Sequence, residues 1–334
     1  MKILQPTPET IAQAAAHLRS GQLVGMPTET VYGLAGNGLD AAALARIFDA
    51  KERPTFDPLI LHVVEQGDLS RLVDESQLSP EALRRLRALT EAFWPGPLTL
   101  VLPKREIVPD LATSGLPTVA IRMPQHPIAQ ALIRAAGVPL AAPSANRFGR
   151  ISPTRAEHVR DELDGRVEMV LDGGPCEIGI ESTILKIDAD GSLVLLRPGQ
   201  VTPEQIAAVT GARPSAGTAK PGAQLAPGML ESHYAPTKRL LPLEQMSEES
   251  ARRVGVLLLS GDPQKFVPPA GKSAITMSLS HSGDPMEMAR NLFSTLRALD
   301  QSDAELLFCE APPAGEGLVY AIADRLRRAC APRV

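Results

Sequence analysis

Between Gly211 and Pro236 the chain runs through Gly, Pro, Ser and Ala with no hydrophobic period that could hold a helix or strand in place. That stretch reads as an interdomain linker. At 334 residues the sequence exceeds the size at which a single hydrophobic core usually stops growing, so a division into two domains is expected on length as well.

Ahead of the break, Thr7-Pro8-Glu9 supplies a cap, a first-turn proline and a first-turn acid to an Ala-rich helix that ends at Gly21. A short strand over Leu23 to Met26 follows. Ser79-Pro80-Glu81, Thr154-Arg155-Ala156-Glu157 and Thr202-Pro203-Glu204-Gln205 open later helices by the same capping logic. Between them lie apolar runs at 59–64, 98–102, 118–122, 139–142, 167–171, 182–187 and 193–196. The first two hundred residues therefore mix strands and helices around a sizeable sheet. Beyond the break, Val254 to Leu259 reads as a strand, Met286 to Leu299 as an amphipathic helix, Leu306 to Cys309 as a strand and Leu318 to Arg328 as a helix. This alternation predicts a small doubly wound α/β domain.

Basic and acidic residues nearly balance, at 34 against 38, which excludes the strong basic excess of a dedicated nucleic-acid binder. Any RNA contact would be local. Cys176, Cys309 and Cys330 fit neither a disulfide framework nor paired metal-ligand spacing, and read as thiols of a reducing cytoplasm. No apolar signal core opens the sequence and no run approaches a membrane span, so a soluble, cytoplasmic protein without membrane contact is expected.

Two short strings concentrate the candidate chemistry: Lys51-Glu52-Arg53-Pro54 and Ala142-Pro143-Ser144-Ala145-Asn146. Two clustered cations and two small hydrogen-bonding side chains, far apart in sequence, suit a phosphate cradle assembled by the fold. Taken alone, Lys51 and Arg53 close a helix from about Ala41 and complement the negative end of its dipole. The proline-bracketed loop that follows, Pro54-Thr55-Phe56-Asp57-Pro58, would hold them at the mouth of the next strand, where ligands collect in α/β sheets. Strand alternation sorts further candidates by face. His62 lies opposite Leu59, Leu61 and Val63, and Thr118 and Arg122 share a face with Ala120. Pro27-Thr28-Glu29-Thr30-Val31-Tyr32 and Glu181-Ser182-Thr183 read equally well as polar clusters or as turns made by Thr side chains. Gly173-Gly174-Pro175 matches neither a Walker loop nor a dinucleotide fingerprint, and Ser144 sits in no nucleophile elbow.

Taken in order, the strings Pro27-Thr28-Glu29-Thr30-Val31-Tyr32-Gly33-Leu34, Lys51-Glu52-Arg53-Pro54, Pro58-Leu59, Trp94-Pro95-Gly96-Pro97-Leu98-Thr99, Ile121-Arg122-Met123-Pro124, Ala142-Pro143-Ser144-Ala145-Asn146 and Glu181-Ser182-Thr183-Ile184 resemble the YrdC family of threonylcarbamoyl-AMP synthases. Ala226-Pro227-Gly228-Met229 and His233-Tyr234-Ala235-Pro236 look like the linker of its long, two-domain members. Gly315-Glu316-Gly317-Leu318 and Arg325-Leu326-Arg327-Arg328 fit the long form, whereas Tyr320-Ala321-Ile322-Ala323-Asp324 departs from it.

The resemblance implies a YrdC-like twisted mixed α/β sheet with flanking helices over 1–206, a linker and lid over 207–236, and a smaller Rossmann-like domain over 237–334. It implies a nucleotidyltransferase that joins L-threonine, bicarbonate or CO2, and ATP into threonylcarbamoyl-adenylate and pyrophosphate, for a tRNA modification beside the anticodon. Arg122 would hold the threonine carboxylate, with Thr30, His62, Ala142 through its backbone, and Ser182 lining the same pocket. Arg53, Asp57, Thr118, Ser144, Ser152 and Arg197 would contact ATP, with Lys51 and Asn146 completing the phosphate cradle and Tyr234 closing over the nucleotide. A triphosphate implies Mg²⁺, whose ligands the sequence does not identify. The partners implied are the transferase machinery that passes the adenylate to tRNA and, at most, a weak contact with tRNA itself. Two other classes fit the composition: an RNA-binding module without turnover, against which 3% aromatic content argues, and a nucleotide or amino-acid sensor.

Overall fold

The computed structural model describes residues 1–217, 226–247, 251–312 and 315–332. Among them, eleven strands form one sheet: β1 (Lys2–Leu4), β2 (Val24–Met26), β3 (Gly33–Asn37), β4 (Ile60–His62), β5 (Leu98–Pro103), β6 (Thr118–Arg122), β7 (Leu140–Ala141), β8 (Met169–Leu171), β9 (Thr183–Ile187), β10 (Leu193–Arg197) and β11 (Ser215–Ala216). Their order is β1-β8-β2-β3-β7-β4-β6-β5-β9-β10-β11, with parallel and antiparallel neighbours mixed. Helices α1 (Pro8–Arg19), α2 (Ala41–Lys51), α3 (Gln66–Leu72), α4 (Pro80–Phe93), α5 (Asp110–Thr113), α6 (Pro127–Ala136), α7 (Ala156–Leu163) and α8 (Pro203–Thr210) flank it.

Each apolar run predicted from the sequence is a strand, with its ends shifted by at most two residues. The sequence reading missed β3, a Gly-Leu-Ala-Gly-Asn string. It is buried because small residues let its neighbours close in: a Cβ on Gly36 would stand 3.0 Å from side-chain atoms of both Ile47 and Leu23. Thr7 and Thr202 form capping boxes as expected. Thr154 does not; α7 starts one residue later, with Arg155 as an N-cap that makes no side-chain bond. The predicted linker is corrected at one end, since Ser215 and Ala216 add a strand parallel to β10. Positions 218–225 of that stretch lie outside the described residues.

A second sheet, wholly parallel, contains β12 (Leu240–Pro242), β13 (Arg253–Ser260), β14 (Ser273–Ser280) and β15 (Leu306–Cys309) in the order β12-β15-β13-β14. Its helices α9 (Pro285–Gln301) and α10 (Gly317–Cys330) both pack on the face that carries Leu257, Leu259, Leu279 and Leu307. The other face, with Val254, Val256 and Phe308, is covered by connecting segments that bring Leu243, Met246 and Phe266. The second unit is thus α/β and parallel, but its α-helices lie on one face, where the doubly wound pattern would use two.

That helical face is also where the two units meet. Leu292 and Phe293 of α9 share a buried cluster with Val31, Ile151, Ile178 and Ile180 of the first unit. Contact is close at Gly179, whose φ is +80°, and a Cβ there would fall 2.5 Å from the Arg290 backbone. Arginines fasten the seam. Arg290 Nε donates to the Glu177 carbonyl at 2.8 Å, while Arg297 donates to Glu162 Oε1 at 3.0 Å and to the Ile151 carbonyl at 2.8 Å.

Candidate functional site

Side-chain alternation along β4, β5, β6 and β9 sends one set of residues into the main core and the other toward a pocket. Leu59, Leu61, Val63, Val119 and Ile121 belong to the main core, as the period of two predicts. Ile60, Val101, Ala120 and Ile184 face the opposite way, where Ala226 and Met229 from the linker cover them. His62 and Arg122 end these strands side by side in register, and both face the cavity.

That cavity brings together nine of the fourteen residues predicted from the sequence: Thr30, Arg53, His62, Arg122, Ala142, Ser144, Ser182, Arg197 and Tyr234. At one end the Arg122 guanidinium is fixed on three sides. It donates to Glu29 Oε1 at 2.6 Å, to Thr30 Oγ1 at 2.8 Å and to the Gly96 carbonyl at 3.3 Å. Burial alone would raise the Glu29 carboxyl, but the neighbouring guanidinium more than offsets this and the net direction is down. His62 lies beside them with Nδ1 3.2 Å from the Ile60 carbonyl. Burial, reinforced by the Arg122 charge, pushes its pKa down to about 3, so the imidazole is neutral at physiological pH.

The other end is richer in uncompensated positive charge. Arg197 donates from Nε and Nη2 to the carbonyl and Oγ of Ser182, both at 3.1 Å, and from Nη1 to the Pro227 carbonyl at 3.4 Å. Ser182 Oγ is held from behind by Thr99 Oγ1 at 2.8 Å. Arg53 pairs with Asp57 at 3.0 Å and also donates to the Asp57 and Pro58 carbonyls. Burial pushes Arg53 and Arg197 down from their ordinary value and Asp57 up. Oδ1 of Asp57 is buried without a hydrogen-bond partner.

Four of the remaining predicted residues sit just behind these walls. Lys51, 1% exposed, donates from Nζ to the carbonyls of Ser144 and Asn146. It therefore shapes the Ser-Ala-Asn turn from inside and does not line the cavity, and burial, then the Arg53 charge, holds its ammonium well below the usual lysine value. Asn146 donates to the Arg147 and Arg150 carbonyls, tightening the same turn. Asp57 backs Arg53, and Ser152 is hydrogen-bonded to Glu181. Thr118 is the exception. It starts β6 opposite Pro103, at the end of the strand away from Arg122.

Tyr234 closes the cavity on the linker side, at 1% exposure and with φ +63°, a conformation uncommon for a residue with a side chain. It is anchored by stacking on Phe293 at 5.5 Å, by His233 edge-on at 4.2 Å and by the neighbouring Ala235 N–H, which donates to the Gly149 carbonyl. Its hydroxyl abuts Gly228, where a Cβ would come within 2.6 Å of it, and burial raises its pKa to about 12. His233 is also buried. Desolvation, then the charges of Arg53, Lys51, Arg197 and Arg325, push its imidazole well below its ordinary value.

Sequence reasoning did not single out Glu29, Thr99, Glu181, His233 or Arg325. All five lie inside strings it quoted, but only the fold reveals which neighbour turns inward. Arg325 entered only as part of a matching string, with no sign of its role, because its partner Glu181 stands 144 positions away.

The fold and cavity define an α/β protein with an arginine-lined cavity at the ends of its strands, under a cover from its own linker. Comparison with known proteins narrows the class to one family. The Sua5/YciO/YrdC family model, described as "Telomere recombination", matches residues 16–199, and the model described as "Threonylcarbamoyl-AMP synthase, C-terminal domain" matches 201–331. The chain belongs to the long, two-domain form of this family. A threonylcarbamoyl-AMP synthase of Bacillus subtilis is 43% identical over 97% of this chain and 94% of its own length; one of Pyrococcus abyssi is 40% identical over 96% and 94%. The crystal structure of Pyrococcus abyssi Sua5 complexed with L-threonine superposes with a TM-score of 0.82 at 36% identity, over 98% of this chain and 96% of that one.

Proposed function

We propose that this protein is a threonylcarbamoyl-AMP synthase, a nucleotidyltransferase that converts L-threonine, bicarbonate or CO2, and ATP into L-threonylcarbamoyladenylate and pyrophosphate. The observation that carries the reading is a single cavity with a charge-compensated guanidinium, Arg122, at one end and a surplus of cations at the other. A zwitterionic amino acid suits the first and a polyphosphate the second. The names of the relatives and the threonine in the neighbouring crystal structure support it.

In this reading the threonine carboxylate docks on Arg122, with Thr30, neutral His62, the Ala142 backbone and Ser182 around it. Its amine, as the free base, adds to CO2 and loses a proton, leaving a carbamate. A carbamate oxygen then attacks the α-phosphorus of ATP, and pyrophosphate departs with the electron pair of the broken P–O bond. No enzyme nucleophile is needed; positioning and charge neutralisation supply the acceleration. Arg53, Ser144 and Arg197 contact the triphosphate, Lys51 and Asn146 hold the turn that presents Ser144, and Asp57 and Ser152 orient Arg53 and Glu181. Thr118, at the far end of β6 beyond the covered Ala120 and outside the cavity, takes no part in this reading. Tyr234 excludes water, to which both carbamate and mixed anhydride are labile.

Mg²⁺ fits as a companion of the nucleotide, neutralising phosphate charge. Among the described residues no group of three or more His, Cys, Asp or Glu side chains could hold an ion, and Mg²⁺ on a triphosphate needs only one or two protein carboxylates. The unpartnered Oδ1 of Asp57 is the candidate. The product would feed threonylcarbamoylation of tRNA in the cytoplasm through a separate transferase. Among the described residues no helix is long and apolar enough to cross a membrane.

The test is radiolabelled bicarbonate with ATP and threonine. The expected result is threonine-dependent pyrophosphate release with label in a nucleotide product. Folded protein that binds ATP and threonine but releases no pyrophosphate would be a sensor and would overturn the proposal.

A further inference from the structure

Glu181 lines the cavity next to Ser182 and Arg197, yet a carboxylate is an unwelcome neighbour for a polyphosphate. One of its oxygens accepts from Ser152 Oγ; the other accepts from Arg325 Nε at 3.0 Å. Arg325 comes from α10 of the second unit and its side chain is fully buried. Its Nη1 donates to Asp324 at 3.0 Å, and its Nη2 is buried with no hydrogen-bond partner among the described residues. The same guanidinium carbon stands 5.3 Å from the centre of the Tyr234 ring, a cation–π distance.

The surrounding contacts tie the linker to the same helix. Asp324 accepts two bonds from Arg328 Nε, both at 3.0 Å, and Arg328 Nη1 donates to the Leu230 carbonyl. The His233 N–H donates to the Arg328 carbonyl at 3.2 Å. One turn of α10 thus meets both the cavity wall, through Glu181, and the segment that covers the cavity, through Leu230, His233 and Tyr234.

We infer that Arg325 is a positioning residue which the second unit contributes to the site: it neutralises Glu181 on the cavity wall and seats the ring of Tyr234, coupling the docking of α10 to the cover over the cavity. This rests on the proposed synthase reading for its kinetic arm, but not for its structural one. Without the guanidinium, Glu181 stands as an uncompensated buried carboxylate where the nucleotide's phosphates bind, and the cover loses its cation–π seat. ATP affinity therefore suffers, whereas the Arg122 end is untouched.

Two measurements on the full-length chain test this. In steady-state kinetics, Arg325→Met raises the KM for ATP by about tenfold or more while the KM for threonine stays within about twofold. Arg325→Lys, which keeps the charge, lies between Arg325→Met and the wild type. Adding Glu181→Gln to Arg325→Met removes the stranded charge and restores the ATP KM to within about threefold of the wild type. A merely structural role predicts no such rescue. In ligand-free hydrogen exchange, peptides covering 226–235 exchange faster in Arg325→Met and unchanged in Arg327→Ala, whose side chain is 61% exposed. Unchanged exchange in Arg325→Met overturns the coupling, and equal rises in both KM values with no rescue overturn the neutralising role. A wild type without threonine-dependent turnover would sink the synthase reading alone, since the exchange experiment needs no substrate.

Discussion

At one end of the cavity Arg122 is answered by a carboxylate, Glu29, whereas at the other Arg197 and Lys51 are held by uncharged oxygens: the Ser182 hydroxyl and carbonyl and the Pro227 carbonyl for the first, the Ser144 and Asn146 carbonyls for the second. The first arrangement is electrically complete without a ligand. The second is not: beside the Arg53–Asp57 pair it keeps these two cations without a carboxylate partner of their own, and burial pushes both down from their ordinary values. A buried site that keeps surplus cations is poised for an anion, while a compensated guanidinium is poised for orientation. On the proposed reading, the difference lets one cavity take two substrates of unlike charge without exchanging them.

The most severe way to break this comparison is Arg122→Ala. It strands Glu29 in a buried site, and loss of one partner from a buried pair costs about 3–5 kcal/mol, so urea unfolding should shift by that much and threonine-dependent turnover should vanish. An unshifted midpoint would mean that the Arg122 end is no more compensated than the other. Lys51→Met probes the opposite end. Two carbonyls lose a donor, but an uncompensated buried charge also goes, and these terms oppose each other. Stability should change by less than about 2 kcal/mol, while turnover falls on the order of 10²–10³-fold because the Ser144 turn loses its support. A large stability loss with normal turnover would make Lys51 a packing residue.

The pH dependence sharpens the contrast more gently. His62 has an ordinary pKa of 6.5 and a native one near 3, so between those values the unfolded chain binds a proton that the native protein refuses. Stability from this group is complete above pH 6.5 and is lost as pH falls toward 3, by up to about 1.4 kcal/mol per unit. His158, lowered to about 4 chiefly by burial, acts in the same direction. In chemical denaturation from pH 7 to 4.5, His62→Gln should flatten the slope without abolishing it. The smallest effect belongs to Thr118→Val. Standing at the far end of β6, it should change the ATP KM by less than about threefold, within the range of a surface substitution.

The orientation of His62 and Arg122 was legible in the sequence because strand alternation has a strict period of two, and one correct strand fixes every side chain on it. The turn after α2 was half legible. Lys51 and Arg53 read as cations at a helix end; Lys51 faces inward on the helical period of Ile47 and Phe48, but the course of Arg53 follows Glu52, which adopts the left-handed conformation, φ +53°, at the C-cap. Nothing in a Lys-Glu-Arg string announces that. Arg325 and Glu181 were illegible, since their pairing exists only once two separately folded sheets meet. The second unit's one-sided helices escaped for a related reason: alternation in sequence shows that helices cover the sheet, not which face they choose.

The first strand of the large sheet pairs with residues near the middle of the chain, Lys2 with Met169 and Leu4 with Leu171. During synthesis at about 5–20 residues per second, β1 therefore emerges roughly 10–30 s before its partner β8 exists. Strand β2 waits for that partner as well, although β3 offers it an earlier neighbour. The β1 edge of the sheet is consequently completed only after β2 to β7 have emerged, and a nascent chain halted before Met169 carries its own first strand unpaired.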